Sequence, residues 1–182
     1  MNKYVITSLT LGLIAASGAG LIGVTNLLTK DKIAENEAIA TRNGLASIYG
    51  DDCDFSDAIE INDSNYSYLI CYYKASFNGD FIGNIYKTTG SNDYGKITAL
   101  IGVNADFTVE KISLIINEQT FATKFVSSWL NPFNNGERDL DDVSCGATYS
   151  AKLVNSMAHQ AIEYMKNSGE WLYEKRKRLY KS

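Results

Sequence analysis

The distribution of hydrophobic and charged positions divides the chain into two parts. Between Tyr4 and Thr29 there is no Asp, Glu, Lys or Arg, whereas charged residues recur from Asp31 onward. As a helix rising ~1.5 Å per residue, this run would be roughly 39 Å long, which exceeds the ~30 Å hydrocarbon thickness of a bilayer. The pattern predicts a transmembrane anchor over residues 1–30 and one soluble domain over residues 31–182.

A cleaved signal peptide is the alternative interpretation of the apolar segment. Lys3 would supply the positive amino-terminal region, and the small residues Ala16–Ala19 would suit cleavage, leaving a secreted binding module. However, the apolar run continues through Leu21–Leu28, beyond the ~7–15 residues of a typical signal sequence. This length favours an uncleaved anchor, and its small residues at four-residue spacing would suit packing against other membrane helices.

The pattern after the anchor predicts an α+β fold with a mostly antiparallel sheet flanked by helices. Lys32–Tyr49 is rich in helix formers and predicts a helix weakened at Asn43-Gly44, and Ser150–Lys166 predicts a closing helix with an apolar stripe. Asn117–Asp142 between the sheet and that helix is predicted to be irregular. Runs of β-branched and aromatic residues predict four strands, separated by turns at Asn78–Asp80, Gly90–Asp93 and Asn104–Asp106: Tyr66–Lys74, Phe81–Lys87, Lys96–Val103 and Val109–Ile116.

Composition limits the classes of function. The formal net charge is −4, which argues against nucleic acid as a partner because phosphate neutralisation requires a basic surface. The cysteines Cys53, Cys71 and Cys145 form no C-x-x-C pair, so no metal site is predicted, and a Cys53–Cys71 disulfide stays open. His159 is expected to be a surface or packing residue, and the basic run at 175–178 a solvated tail.

Candidate chemistry lies in the segment Asp142-Val-Ser-Cys-Gly-Ala-Thr148, directly before the closing helix. Gly146 and Ala147 would let a ligand approach the backbone, and the first turn of a helix offers unpaired N–H groups to an anion. Thr148 places a hydroxyl at this point, and Ser150 is expected to be the N-cap residue. The residues alone therefore indicate an anion site or an ordinary capping loop.

This segment resembles the flavinylation motif D-x-x-[ST]-G-A-T of the FMN-binding subunits of two bacterial complexes. These subunits are RnfG of the Rnf ferredoxin:NAD oxidoreductase and NqrC of the sodium-pumping NADH:quinone oxidoreductase, and the compact size favours RnfG. The resemblance implies that FMN is joined to Thr148 by a phosphoester bond, made by an ApbE-type flavin transferase with FAD as donor. Asp142 matches the acidic position, Gly146 and Ala147 match the residues before Thr148, and Ser150 with Lys152 matches the continuation.

Other segments extend the resemblance over most of the chain. Tyr94–Ile97 with Leu100–Asn104, Glu118–Thr120 and Trp129-Leu130 each resemble a family segment. They imply that Gln119, Thr120, Trp129 and Tyr149 contact the flavin ring. Three positions depart from the family: Cys145 stands where Ser or Thr is usual, a single Gly95 replaces a double glycine, and Gln119–Thr123 keeps only Thr120 of the usual E-T-P-G-L-G.

The resemblance implies an electron-transfer subunit of a membrane ion-translocating complex, not expected to be catalytic alone. Its partners would be other Rnf-type membrane subunits and the flavin transferase. The basic residues flanking the anchor do not decide its orientation, but the short positive amino terminus and the resemblance place the domain on the extracytoplasmic side of the cell membrane. A stand-alone extracytoplasmic FMN carrier and a structural subunit that has lost FMN are the alternatives.

Overall fold

The computed structural model describes residues 3–169 and divides into two compact units, Met1–Ala40 and Thr41–Ser182. Helix α1 spans Lys3–Tyr49 and supplies all the described residues of the first unit. The large apolar side chains in its first half are exposed, with values from 46% at Ile6 to 80% at Tyr4. Within the described residues, this is the one helix long and apolar enough to cross a membrane.

Hydroxyl groups in the apolar part of α1 bond within the helix. Thr10 donates to the Ile6 carbonyl at 2.9 Å, and Ser17 donates to the Leu13 carbonyl at 2.7 Å. Such bonds satisfy a hydroxyl where no water is available, which suits a hydrocarbon environment. The predicted long apolar helix at the amino terminus is confirmed.

An antiparallel sheet forms the centre of the second unit. Its order is β1-β3-β4-β5-β6, with β2 pairing beside β1 on β3, and every pair is antiparallel. The predicted α+β class with a mostly antiparallel sheet is confirmed. Within residues 41–169 the strands are β1 Asp54–Phe55, β2 Ile59–Glu60, β3 Leu69–Phe77, β4 Asp80–Asn92, β5 Gly95–Asn104 and β6 Val109–Asn117.

Each face of the sheet packs against a core of its own. Side chains alternate between the two faces along each strand. On β5, Ile97, Ala99 and Ile101 face a large core shared with helix α4, which spans Thr148–Asn167. Leu100 points to the opposite face, where it packs in a smaller core with Leu45 and Ile48 from the last turns of α1. The site described below lies at the amino-terminal end of α4.

The expected weakness at Asn43-Gly44 is absent, because α1 continues through both residues. Gly44 is buried against the sheet, where an added Cβ atom would lie 2.6 Å from Leu100 Cδ1. Glycine is therefore required for close approach of helix and sheet, and packing outweighs its low helix propensity.

The turn predicted at Gly90–Asp93 is wrong, because β4 continues to Asn92. Asn92 pairs with Gly95 across the hairpin and leaves Asp93 and Tyr94 as the turn. Gly90 lies within the strand, where an added Cβ would be 2.9 Å from Leu153 Cδ1 of α4. This glycine also marks a close approach of two elements.

The expectation of an irregular segment over Asn117–Asp142 is also wrong. Helix α2 spans Ala122–Phe125, a π-helical turn spans Val126–Leu130, and α3 spans Asn131–Asn134. The rings of Phe125, Trp129 and Phe133 stack in sequence, with centroids 5.8 and 5.4 Å apart. Their four-residue spacing is a helical signal. Pro132 obscures it, although proline is accepted in the first turn of α3.

The cysteines are free thiols. Burial, the largest cause, raises the pKa of the Cys71 thiol above its usual range.

The helix predicted at Ser150–Lys166 is present and begins two residues earlier, at Thr148. The basic run at 175–178 lies outside the described residues.

Candidate functional site

Three segments far apart in the sequence meet at the amino-terminal end of α4. They are the β4–β5 turn, the loop that follows β6, and the turn over residues 142–147. The Thr120 N–H donates to the Tyr94 carbonyl at 2.8 Å, which joins the first two segments. The Asn92 side-chain amide donates to the Tyr149 carbonyl at 3.3 Å, which joins the β4–β5 hairpin to the first turn of α4.

Gln119 is a buried residue that links the loop after β6 to the β4–β5 hairpin and to α4. Its side-chain N–H donates to the Gly95 carbonyl, and its Oε1 accepts a 2.8 Å hydrogen bond from the Ser150 hydroxyl. Gln119 and Ser150 are 4% and 3% exposed. Gln119, predicted as a flavin contact, bonds to the Gly95 backbone beside the site.

Ser150 is not the N-cap residue, which corrects the sequence-based expectation. Ala147 occupies that position, and no side chain caps the helix. Because α4 begins at Thr148, Ser150 falls within the first turn and its hydroxyl points inward to Gln119. The N–H groups of Thr148 and Tyr149 are bonded to no acceptor among residues 3–169. The start of α4 therefore keeps free donors.

A pocket of about 260 Å³ lies at this helix start. It is lined by residues 145–150 together with Tyr94 and Phe121. The Tyr94 ring lies with its centroid 5.3 Å from that of Tyr149 and 6.0 Å from that of Phe121. Tyr149 is 65% exposed, so an aromatic rim borders the opening of the pocket.

The Thr148 hydroxyl lies on the pocket wall and is oriented by the preceding turn. It donates to the Cys145 carbonyl at 2.5 Å and accepts a 3.4 Å bond from the Cys145 N–H. The Cys145 sulfur accepts the Ala147 N–H at 3.4 Å. The residue at 145 thus acts as a hydrogen-bond acceptor within the turn, a role that a thiol fulfils weakly.

Gly146 lies directly beneath the side chain of Lys124. A Cβ atom added at Gly146 would overlap Lys124 Cε and would lie 2.6 Å from its Nζ. Lys124 is exposed to solvent, and among the described residues no carboxylate forms an ion pair with it. The lysine belongs to α2, so the positive charge beside the motif is supplied by another element of the fold.

Asp142 shapes the turn and does not line the pocket. Its carboxylate forms an ion pair with Arg138 at 3.1 Å and accepts a 3.3 Å hydrogen bond from the Ser144 N–H. Its carbonyl accepts the Trp129 indole N–H at 2.9 Å. Trp129, which the sequence predicts as a contact of the flavin ring, is completely buried. Its indole holds the Asp142 carbonyl from the side of the core.

The loop before the motif is attached to α4 through Asp141. Its carboxylate lies 2.6 Å from His159 Nε2 and accepts a 2.8 Å bond from Asn155. Hydrogen bonds from His159 and then Asn155 are the main causes that lower the pKa of the Asp141 carboxyl. His159 lies on the surface, outside the pocket.

Of the predicted site residues, the structure brings Cys145, Gly146, Ala147, Thr148, Tyr149 and Ser150 to one pocket. Gln119 and Thr120 bond to the backbone of the β4–β5 hairpin without lining the pocket, and Asp142 and Trp129 support the turn. Sequence reasoning did not identify Tyr94, Phe121, Lys124 or Arg138 as site residues. Tyr94 lies in a segment that carried the resemblance, whereas no local pattern distinguished Lys124.

The fold and site define a protein with one membrane-compatible amino-terminal helix and an α+β domain whose pocket centres on a threonine hydroxyl. The family model for the RnfG N-terminal region matches residues 1–48. This match shows that the amino-terminal region is similar to that of RnfG. The matched residues contain α1 except its last residue, Tyr49, while the pocket residues follow later in the chain. No curated protein matches the chain.

Proposed function

We propose that the chain is an electron-transfer subunit that carries FMN covalently on Thr148 within an Rnf-type complex. The observation that carries this proposal is the placement of the Thr148 hydroxyl on the wall of a pocket at the start of α4. The family match to the amino-terminal region and the motif resemblance independently favour the same class of subunit.

The pocket suits the phosphate end of the cofactor. Pockets that enclose a whole ligand typically occupy ~300–1,000 Å³, and this pocket of about 260 Å³ is smaller. The free N–H groups of Thr148 and Tyr149 offer donors to phosphate oxygens, and the positive end of the α4 dipole adds to them. The ring would then lie outside the enclosed space, at the aromatic rim.

Residues at the rim provide apolar and aromatic surfaces for that ring. Tyr94, Phe121 and Tyr149 border the pocket, and the exposed Tyr149 ring is accessible from solvent. FMN supplies the electron-transfer chemistry when bound, while the protein positions the cofactor and tunes its environment. The contribution of Gln119, Thr120, Asp142 and Trp129 is to hold the segments that carry these residues.

Attachment is proposed to follow a phosphoryl-group transfer from FAD. The Thr148 oxygen forms a bond to the phosphorus of the FMN half, the P–O–P bond of FAD breaks, and AMP leaves. The hydroxyl proton is released, because the product is a phosphodiester. The hydrogen bond from the Thr148 hydroxyl to the Cys145 carbonyl orients this oxygen before transfer.

Residues 31–182 would lie on the extracytoplasmic side of the cell membrane, attached by a single-pass anchor. The apolar helix supports the membrane attachment, and the sidedness rests on the resemblance. The partners proposed are other membrane subunits of the Rnf-type complex and an ApbE-type flavin transferase.

Intact-mass measurement of the full chain, co-expressed with a flavin transferase, tests the attachment. We expect the mass of one FMN to be added to the wild-type chain and to be absent in Thr148→Ala, because the acceptor oxygen is lost. Thr123→Ala removes an exposed threonine of the neighbouring helix α2 and should retain the added mass. An unmodified wild-type chain, produced beside a control domain that becomes modified, would contradict the proposal.

A subunit that keeps the fold without FMN is the second candidate, favoured by the thiol of Cys145 at the position where the family has a hydroxyl. The Cys145 sulfur accepts the Ala147 N–H at 3.4 Å, and sulfur is a weaker hydrogen-bond acceptor than a hydroxyl oxygen. Colourless protein purified from its native membrane would favour this candidate. Purification of the flavinylated chain without other Rnf-type subunits would instead favour a stand-alone carrier.

A further inference from the structure

The contact between Lys124 and Gly146 brings a cation of α2 onto the motif. The lysine side chain crosses Gly146. Its ammonium nitrogen would lie 2.6 Å from a Cβ atom added at Gly146. Gly146 itself lines the pocket that contains Thr148. The absence of a side chain at Gly146 therefore leaves room for the lysine in this position.

Thr148 is close to this cation. Two residues span at most ~7 Å of chain, so the ammonium group near Gly146 lies within ~11 Å of the Thr148 Cα. The cation of Arg138 is engaged by Asp142 at 3.1 Å. No carboxylate among the described residues pairs with Lys124, so its charge is available to an anion at the pocket.

We propose that Lys124 is a positioning residue for the flavin phosphate at Thr148: it attracts the diphosphate of the donor and neutralises the phosphodiester that remains. This inference rests on the proposed function. Lysine is suited to this role because its compact charge on a flexible stem can follow the phosphate between the two states. The side chain can lie over Gly146 because no Cβ occupies that space.

The effect should be electrostatic and dependent on salt. Lys124 is exposed, and exposed charges are screened over a Debye length of ~10 Å at 0.1 M salt. One such charge contributes modestly, which corresponds to roughly a two- to fivefold change in rate. A purely structural lysine would show no such dependence on salt.

The test compares initial rates of flavinylation of the detergent-solubilised full chain with FAD and a flavin transferase. Lys124→Met should lower the rate roughly two- to fivefold in low salt, and the difference should disappear in high salt. Lys124→Arg should restore most of the rate. Lys166→Met is the matched control, because it removes the same charge near the other end of α4, where Lys166 lies over Phe107.

A second measurement distinguishes the phosphate from a contact with the transferase. The change in melting temperature on flavinylation should be less favourable in Lys124→Met than in the wild type, since the phosphodiester charge is then uncompensated. Equal changes would assign the rate effect to the transferase and overturn the inference, as would wild-type rates in Lys124→Met. A wild-type chain that accepts no FMN would instead overturn the proposed function.

Discussion

Ser150 has a role set by the residue at which α4 begins. As an N-cap it would have bonded backbone N–H groups and stayed near the surface. In the first turn of the helix, it is 3% exposed and its hydroxyl is bonded to Gln119. The apolar stripe identified the helix, but the inward direction of this side chain depended on the tertiary position of Gln119.

Ser150→Ala should destabilise the full chain because it leaves the buried Gln119 Oε1 without this donor. The expected loss is ~1–3 kcal/mol in the free energy of unfolding, measured by denaturant unfolding in a fixed detergent. Ser156→Ala is the matched control on the same helix, since Ser156 is exposed and bonds only to the Lys152 carbonyl. Equal losses in the two variants would show that the Gln119 contact contributes little.

The site residues that could be predicted lie next to one another in the chain. Cys145–Ser150 form one motif, and all of them line the pocket. Tyr94 and Phe121 reach the same pocket through the β4–β5 turn and the loop after β6. Their place depends on strand register and loop contacts, which periodicity along the chain does not encode.

At the scale of elements, the β4–β5 turn and the loop after β6 are held together at Gly95. Its φ of 132° suits glycine, and an added Cβ would overlap the Glu118 carbonyl oxygen. The sequence predicted both flanking strands from their β-branched residues, but it gave no sign of this contact. The segment that follows was missed because its helical turns are short and include Pro132.

Gly95→Ala should be more destabilising than Gly79→Ala. Gly79 also has a positive φ, 83°, but an added Cβ there meets nothing within 4 Å. We expect a loss of about 1 kcal/mol at Gly79 from the backbone conformation alone and roughly 3 kcal/mol or more at Gly95, where a steric overlap is added. Denaturant unfolding of both full-length variants measures the difference, and similar losses would contradict the proposed overlap.

At the scale of the whole molecule, the uncharged run of α1 determines how the chain should fractionate. We expect the full chain to stay with membranes through high salt and alkaline carbonate and to be released by detergent, because its exposed apolar side chains favour hydrocarbon. Immunoblotting of the fractions measures this. Amino-terminal sequencing is the accompanying check, since a mature terminus near Ala19 in released protein would establish signal cleavage instead.

The π-helical turn at Val126–Leu130 ends between two residues that anchor this segment to the rest of the domain. Before its end, the Trp129 indole reaches the Asp142 carbonyl, and beyond it the Asn134 side chain bonds both the N–H and the carbonyl of Ile112. Loss of Leu130, the residue of the turn that lies between Trp129 and Asn134, would rotate one of these anchors by ~100° relative to the other. In evolutionary terms, homologous chains should tolerate substitutions here more readily than insertions or deletions.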